Sequence, residues 1–227
     1  METLAEDLLL LALDDDEGIV SWHRSGRLYF GLGGAVLIDL ALLKRIDYSS
    51  GRIIVIDPTP TGDEILDATL EVIRKTRSPH EPRYWVRKLG EQRSLPDHLA
   101  RQLVARGILR EQDETFLFVF QEHRFPTSDP GPESAVRRKL REIVLTGEEP
   151  DTRSLLLLSL VDACGLTDSL FSRQERKLAK QRIATIVQHE RIGIAVDKAV
   201  AEVTAAITAA ITAASFTTVV GPGPSVR

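Results

Sequence analysis

Apolar positions recur at three- and four-residue spacing along most of the chain, and strand-like runs are few and short. Thr3 with Glu6 forms a capping box ahead of the leucine run, which predicts a first helix ending by Gly18. A mixed stretch containing RLYF follows. The glycine cluster GLGG then reads as a turn, with a helix from about Gly34 to Lys44 behind it. GRIIVID (Gly51–Asp57) is strand-like and closes on the turn DPTPTGD. Thr61 with Glu64 reads as a second capping box, opening a helix in which Ile65, Leu66, Leu70 and Ile73 share a face. SPHEP breaks the chain before a short helix, Tyr84–Leu89. A further helix, Pro96–Arg106, stops at Gly107, a residue suited to the left-handed position after a helix end.

ILREQDETFLFVF then reads as a β-hairpin: two strands around a polar tip, with an unusually apolar second arm. TSDPGPES is a loop, and Ser134–Leu145, Asp151–Gly165, Arg173–His189 and Ile194–Ser215 complete a helical second half. Val196, Val200, Val203, Ile207 and Ile211 form a stripe on the last helix, as a buried core helix requires. The tail GPGPSVR reads as disordered. The predicted fold class is mainly α: a single globular multi-helix domain over residues 1–216, with a protruding β-hairpin and few short strands.

Composition narrows the function more than the fold. The 227 residues carry 43% hydrophobic and 27% charged side chains, ordinary for a soluble domain. A net charge of −4 argues against a general nucleic-acid binder. One cysteine, Cys164, forms no internal disulfide and reads as a small buried hydrophobe in a reducing compartment. The N-terminus lacks the basic region of a signal peptide, which predicts a cytoplasmic protein. The uncharged stretch Val203–Val226 is mostly alanine and threonine, with few large side chains to drive membrane insertion.

Candidate chemistry is sparse. GLGGAV imitates a dinucleotide fingerprint, with Asp57 placed like a ribose-binding acid, but the alternating strands of such a fold do not follow. The five histidines are scattered and none pairs at ligand spacing, so no metal site, cofactor or catalytic residue is expected. The acidic run Asp14–Glu17 reads as a solvated loop. The helix with His98, Arg101 and Arg106, followed by a hairpin, imitates the recognition helix and wing of a winged-helix DNA binder; the acidic net charge weighs against it.

The order of four segments is more telling. LAEDLLLLALDDDEG, GLGGAVLIDLALLKRI, IDPTPTGDEILDATL, and LARQLVARGIL with its apolar hairpin together resemble the Golgi phosphoprotein 3 family, in a short, bacterial version. The resemblance runs from about Leu4 to Ser215, and PTGDEILD and LVARGIL are its most specific pieces. It implies a mostly helical domain with a protruding hairpin. It also implies a peripheral membrane protein whose eukaryotic relatives bind phosphatidylinositol 4-phosphate and recruit membrane enzymes through their cytoplasmic tails.

The family's headgroup site uses a tryptophan and three arginines. By that resemblance Trp22 falls at the tryptophan position and Arg93 at one arginine, while Gly33 and Pro96 stand where the other two belong. Neither glycine nor proline supplies charge. Two lost charge-assisted contacts at about 1.5–3 kcal/mol each weaken phosphate binding on the order of a hundredfold or more. His23, Arg24, Arg27, Arg87 and Lys88 are the cations that could compensate, either in an altered pocket or by holding anionic lipid without headgroup selection. The expected partners are therefore an anionic phospholipid headgroup and a membrane surface. The run Phe116, Leu117, Phe118, Val119 and Phe120 lacks polar alternation and needs cover on both faces. It is a candidate for self-association, membrane contact or, in an adaptor reading, partner tails.

Overall fold

The computed structural model describes residues 2–13, 26–116, 120–193 and 198–217. Trp22, His23, Arg24, Leu117, Phe118, Val119, the run Asp14–Glu17 and the GPGPSVR tail lie outside the described residues.

The chain opens on α1 (Leu4–Ala12), whose capping box forms as expected: the Glu6 N–H donates to Thr3 Oγ1 at 3.2 Å and the Thr3 N–H donates to Glu6 Oε2 at 3.0 Å. Every residue from Leu4 to Leu11 is buried, so this short helix lies inside the protein. Its two acids are buried with it and are neutralised by cations distant in sequence, Glu6 by Arg106 and Asp7 by Arg153 at 2.6 Å.

The second helix corrects the reading of GLGG. Residues Gly26–Leu42 form one helix, α2, and the glycines lie in its interior rather than in a turn. The helix is apolar all round, as a fully surrounded helix must be. Gly31, Gly33 and Gly34 point to three different neighbours, because successive helical positions rotate by about 100°. A side chain at Gly31 would run into Cys164, and one at Gly34 into Ile207. At Gly33 a Cβ would stand 2.8 Å from Leu89 Cβ and 2.9 Å from the Gly90 backbone nitrogen. The glycines let three helices approach one axis closely.

After α2 the chain turns at Lys44, which has a positive φ of 55°. GRIIVID is not a lone strand. β2 (Arg52–Val55) pairs antiparallel with β1 (Ile46–Ser49), joined by Ser50 and Gly51 with φ of 50° and 81°. Two positive φ values in a two-residue loop match the right-handed twist of a tight hairpin. The next helix, α3 (Glu64–Lys75), is capped by Asp63, which accepts from the Ile65 and Leu66 N–H groups; the Thr61–Glu64 box does not form. Thr61 instead donates from both N–H and hydroxyl to Asp67. Asp63→Ala is expected to cost about 1 kcal/mol, read as a lower urea midpoint at unchanged slope.

Helices α4 (Pro82–Gly90) and α5 (Leu95–Ala105) follow, and α5 ends on Gly107 in the left-handed region as expected. The hairpin is present with different strands. β3 (Gln112–Phe116) pairs with β4 (Phe120–Arg124), bringing Phe116 opposite Phe120. The apolar run is therefore not the second arm, which is the polar FQEHR. Its two end phenylalanines close the ladder instead.

Helices α6 (Gly131–Thr146), α7 (Thr152–Cys164), the single turn α8 (Thr167–Leu170), α9 (Arg176–Gly193) and α10 (Lys198–Thr217) complete the described chain. Val200, Val203 and Ile207 are buried against the core, so the last helix packs as its stripe predicts. Among the described residues no helix is long and apolar enough to cross a membrane. The outcome is the mainly helical fold expected, with two short antiparallel ribbons.

Candidate functional site

The seam between α2 and α4 places the cations of interest. Pro82, Trp85, Val86, Leu89 and Gly90 form the buried face of α4, while Arg83 and Arg87 lie on its exposed face. Gly90 packs against Phe30, so both helices contribute a glycine to the seam and their backbones come close. Trp85 is fully buried there, with Tyr84 edge-on to it at 5.2 Å and His80 stacked on Tyr84 at 3.9 Å. Lys88 lies above this cluster, 5.7 Å from the Tyr84 ring and 5.2 Å from the Trp85 ring. Such cation–π contact holds an ammonium over a ring while its outer side faces solvent.

The turn between α4 and α5 carries Arg93. Its guanidinium lies 4.9 Å from the ring centroid of Tyr29, a residue of α2 with 8% exposure. The arginine is thus exposed while its guanidinium sits over a buried ring within cation–π reach. Arg87 is 3.8 Å from Glu91 across an open helix face; both side chains are about two-thirds exposed, so that pair is weak.

The remaining candidates separate. Arg27 lies against the C-terminal end of α7, its guanidinium 3.6 Å from where a Cβ of Gly165 would stand. Phe116 and Phe120 close the distal ribbon. Arg106 is bonded to buried Glu6, and Arg101 is 3.4 Å from Glu111. The helix read as a phosphate-tracking recognition helix therefore commits both arginines to acids of its own chain. Pro96 is buried in the first turn of α5, where its missing N–H costs nothing.

Two other groups have perturbed chemistry. Burial pushes the Cys164 thiol up to about 12, leaving it protonated and inert at neutral pH. Burial also pushes Asp39 up to about 7, although the Leu4 and Ala5 N–H groups donate to its carboxylate at 3.0 and 3.3 Å. That carboxylate holds the first turn of α1 onto α2. Among the described residues no three His, Cys, Asp or Glu side chains converge as metal ligands would.

The residues missed by sequence reasoning are Tyr29 and Trp85. Trp85 was signalled by its spacing with Leu89 on an amphipathic α4. Tyr29 carried no such signal, because its role depends on a contact 64 positions away.

The family model for Golgi phosphoprotein 3 (GPP34) matches residues 4–203. The chain belongs to the Golgi phosphoprotein 3 family. Vacuolar protein sorting-associated protein 74 of Eremothecium gossypii is 28% identical over 165 residues, covering 63% of this chain and 49% of that protein. The chain thus spans about half the length of the relative it matches. Within this member of the family the two most specific sequence pieces are structural. PTGDEILD builds the Thr61–Asp67 clamp and the Asp63 cap, and LVARGIL ends α5 with Leu103 accepting from Ile108 at 3.0 Å.

Proposed function

We propose that this Golgi phosphoprotein 3 family member is a non-catalytic peripheral membrane protein that binds anionic phospholipid headgroups. The surface is the exposed face of α4 with the α4–α5 turn. Arg93 carries the reading, because it is exposed, sits over the Tyr29 ring, and follows a helix that also presents Arg87 and Lys88. A local cluster of this kind attracts an anionic surface despite the overall charge of −4.

The arrangement favours bulk anionic lipid over a phosphomonoester headgroup. Gly33 faces the α2–α4 seam and Pro96 is buried, so neither position offers a donor beside Arg93. A phosphate monoester bearing nearly two charges is best held by several converging guanidinium groups, whereas a phosphodiester surface needs only scattered cations.

Vesicle flotation tests the proposal. The protein is expected to float with phosphatidylglycerol vesicles at low salt, and equally well when phosphatidylinositol 4-phosphate replaces part of that lipid at matched charge. Arg93→Ala is expected to lower the partition coefficient about fivefold, corresponding to about 1 kcal/mol per cation near the surface. A protein that stays soluble with every anionic vesicle refutes the function, and an unaffected Arg93→Ala refutes the site.

A further inference from the structure

The segment that leads into α4 closes one end of the cationic face. Ile53 of β2 donates its N–H to the His80 carbonyl at 2.8 Å, which ties this segment to the first ribbon. The His80 ring stacks on Tyr84 at 3.9 Å with the planes 23° apart, and stands edge-on to Trp85 at 6.0 Å. Tyr84 and Lys88 lie one turn apart on α4, beside Arg83 and Arg87. His80, Tyr84 and Lys88 are all half-buried, so the line they form borders solvent.

The imidazole is held by its ring face and not by its nitrogens. Among the described residues no group hydrogen-bonds to either ring nitrogen, and neither is sealed from water. A proton can therefore enter without breaking a native bond, and the imidazolium that forms keeps an attractive contact with the Tyr84 ring. Histidine is the side chain whose charge changes between about pH 5 and 8. The charged groups on the two elements against it are Arg52 of β2, 3.4 Å from the Pro79 carbonyl, and Glu81, Arg83, Arg87, Lys88 and Glu91 on α4 and its caps. Cations outnumber acids in that set, so one more proton adds to a face that an anionic bilayer already attracts.

We propose that His80 makes lipid binding by the α4 face depend on pH, its protonation adding a cation to that face as the solution turns acid. The inference rests on the lipid-surface reading and supplies its regulation. By linkage, proton and bilayer each favour the binding of the other.

The test floats the full chain with mixed phosphatidylglycerol and phosphatidylcholine vesicles at low salt, at about pH 7.5 and about pH 5.5. Asp39 takes up its proton over the same interval in every variant, so comparison of variants isolates His80. His80→Asn and His80→Phe are expected to match the parent at the higher pH. Between the two pH values the parent's partition coefficient is expected to rise about fivefold more than that of either variant, the share of one cation near an anionic surface. His80→Phe keeps a ring against Tyr84, so a stacking role alone would leave its pH response intact. Either folded variant responding to pH as the parent does overturns the proposal, while flotation at the higher pH leaves the lipid reading standing. A chain that floats at neither pH overturns both.

Discussion

Arginine at position 33 lowers the unfolding midpoint sharply and adds no affinity for phosphatidylinositol 4-phosphate vesicles. A side chain there starts 2.8 Å from Leu89 Cβ and 2.9 Å from the Gly90 backbone nitrogen, so backbone must move before the guanidinium is placed. Overpacking of this kind costs about 1–3 kcal/mol for a small apolar group. A buried cation adds its desolvation, and Gly33→Arg is expected to lose at least about 3 kcal/mol. Gly33→Ala isolates the steric part. Its helix-propensity gain of about 1 kcal/mol should be outweighed by the clash, giving a net loss of about 1–2 kcal/mol. Urea denaturation of the three proteins checks this. A Gly33→Arg variant as stable as the parent would falsify the seam as described. An arginine at this position therefore meets packed helix backbone and not an open site.

The second large effect is a pH dependence centred on Asp39. This side chain is 3% exposed and its folded pKa is about 7, against 3.8 for an unperturbed aspartate. The folded protein thus binds a proton more readily than the unfolded chain across that interval. Stability from this group is fully present below about pH 4 and is lost as pH rises through 7. Asp7 is shifted upward by burial and adds in the same direction, despite the opposing attraction of Arg153. Asp7 on α1 and Arg153 on α7 are the charged groups that act on Asp39 among the described residues. Below pH 4.5 the sign reverses. Glu71 and Glu175 are held down to about 2, by hydrogen bonds from Arg74 and Arg141 first of all, and their contribution fades as they protonate.

Stability is therefore expected to rise by about 2–3 kcal/mol from pH 8 to pH 5, then fall in stronger acid. Asp39→Asn keeps an acceptor for the α1 N–H groups but cannot titrate, so it should flatten the rise between pH 8 and 5. Urea midpoints of parent and variant at the two pH values measure the difference. Equal pH slopes in both proteins would remove Asp39 from the explanation.

These two residues show where the sequence was readable. The helices around Leu70 and Leu103 were evident from spacing alone, because each buries one apolar face and periodicity records that face. Thr3 and Glu6 announced a cap because a capping box is completed within four residues. The β1–β2 ribbon was missed although Ser50–Gly51 is a plausible tight loop, since its strands are only four residues long. The distal hairpin was found and its strands misplaced, because uninterrupted apolar character was read as an arm, whereas Phe116 and Phe120 form its closing pair. Of the candidate site, Arg93, Arg87 and Lys88 were named from sequence, while Tyr29 was not.

The sequence by itself determined the helical class and the Thr3–Glu6 cap of the first helix, and its order of segments pointed to the family. Those properties are local, or are carried by motifs in a fixed order. Only the tertiary structure decided that GLGG is a seam within a helix, that Asp39 holds α1 from within α2, and that Arg93 rests on Tyr29. Each depends on residues 30 or more positions apart reaching contact distance, and the spacing of residues along a single element carries no record of that approach.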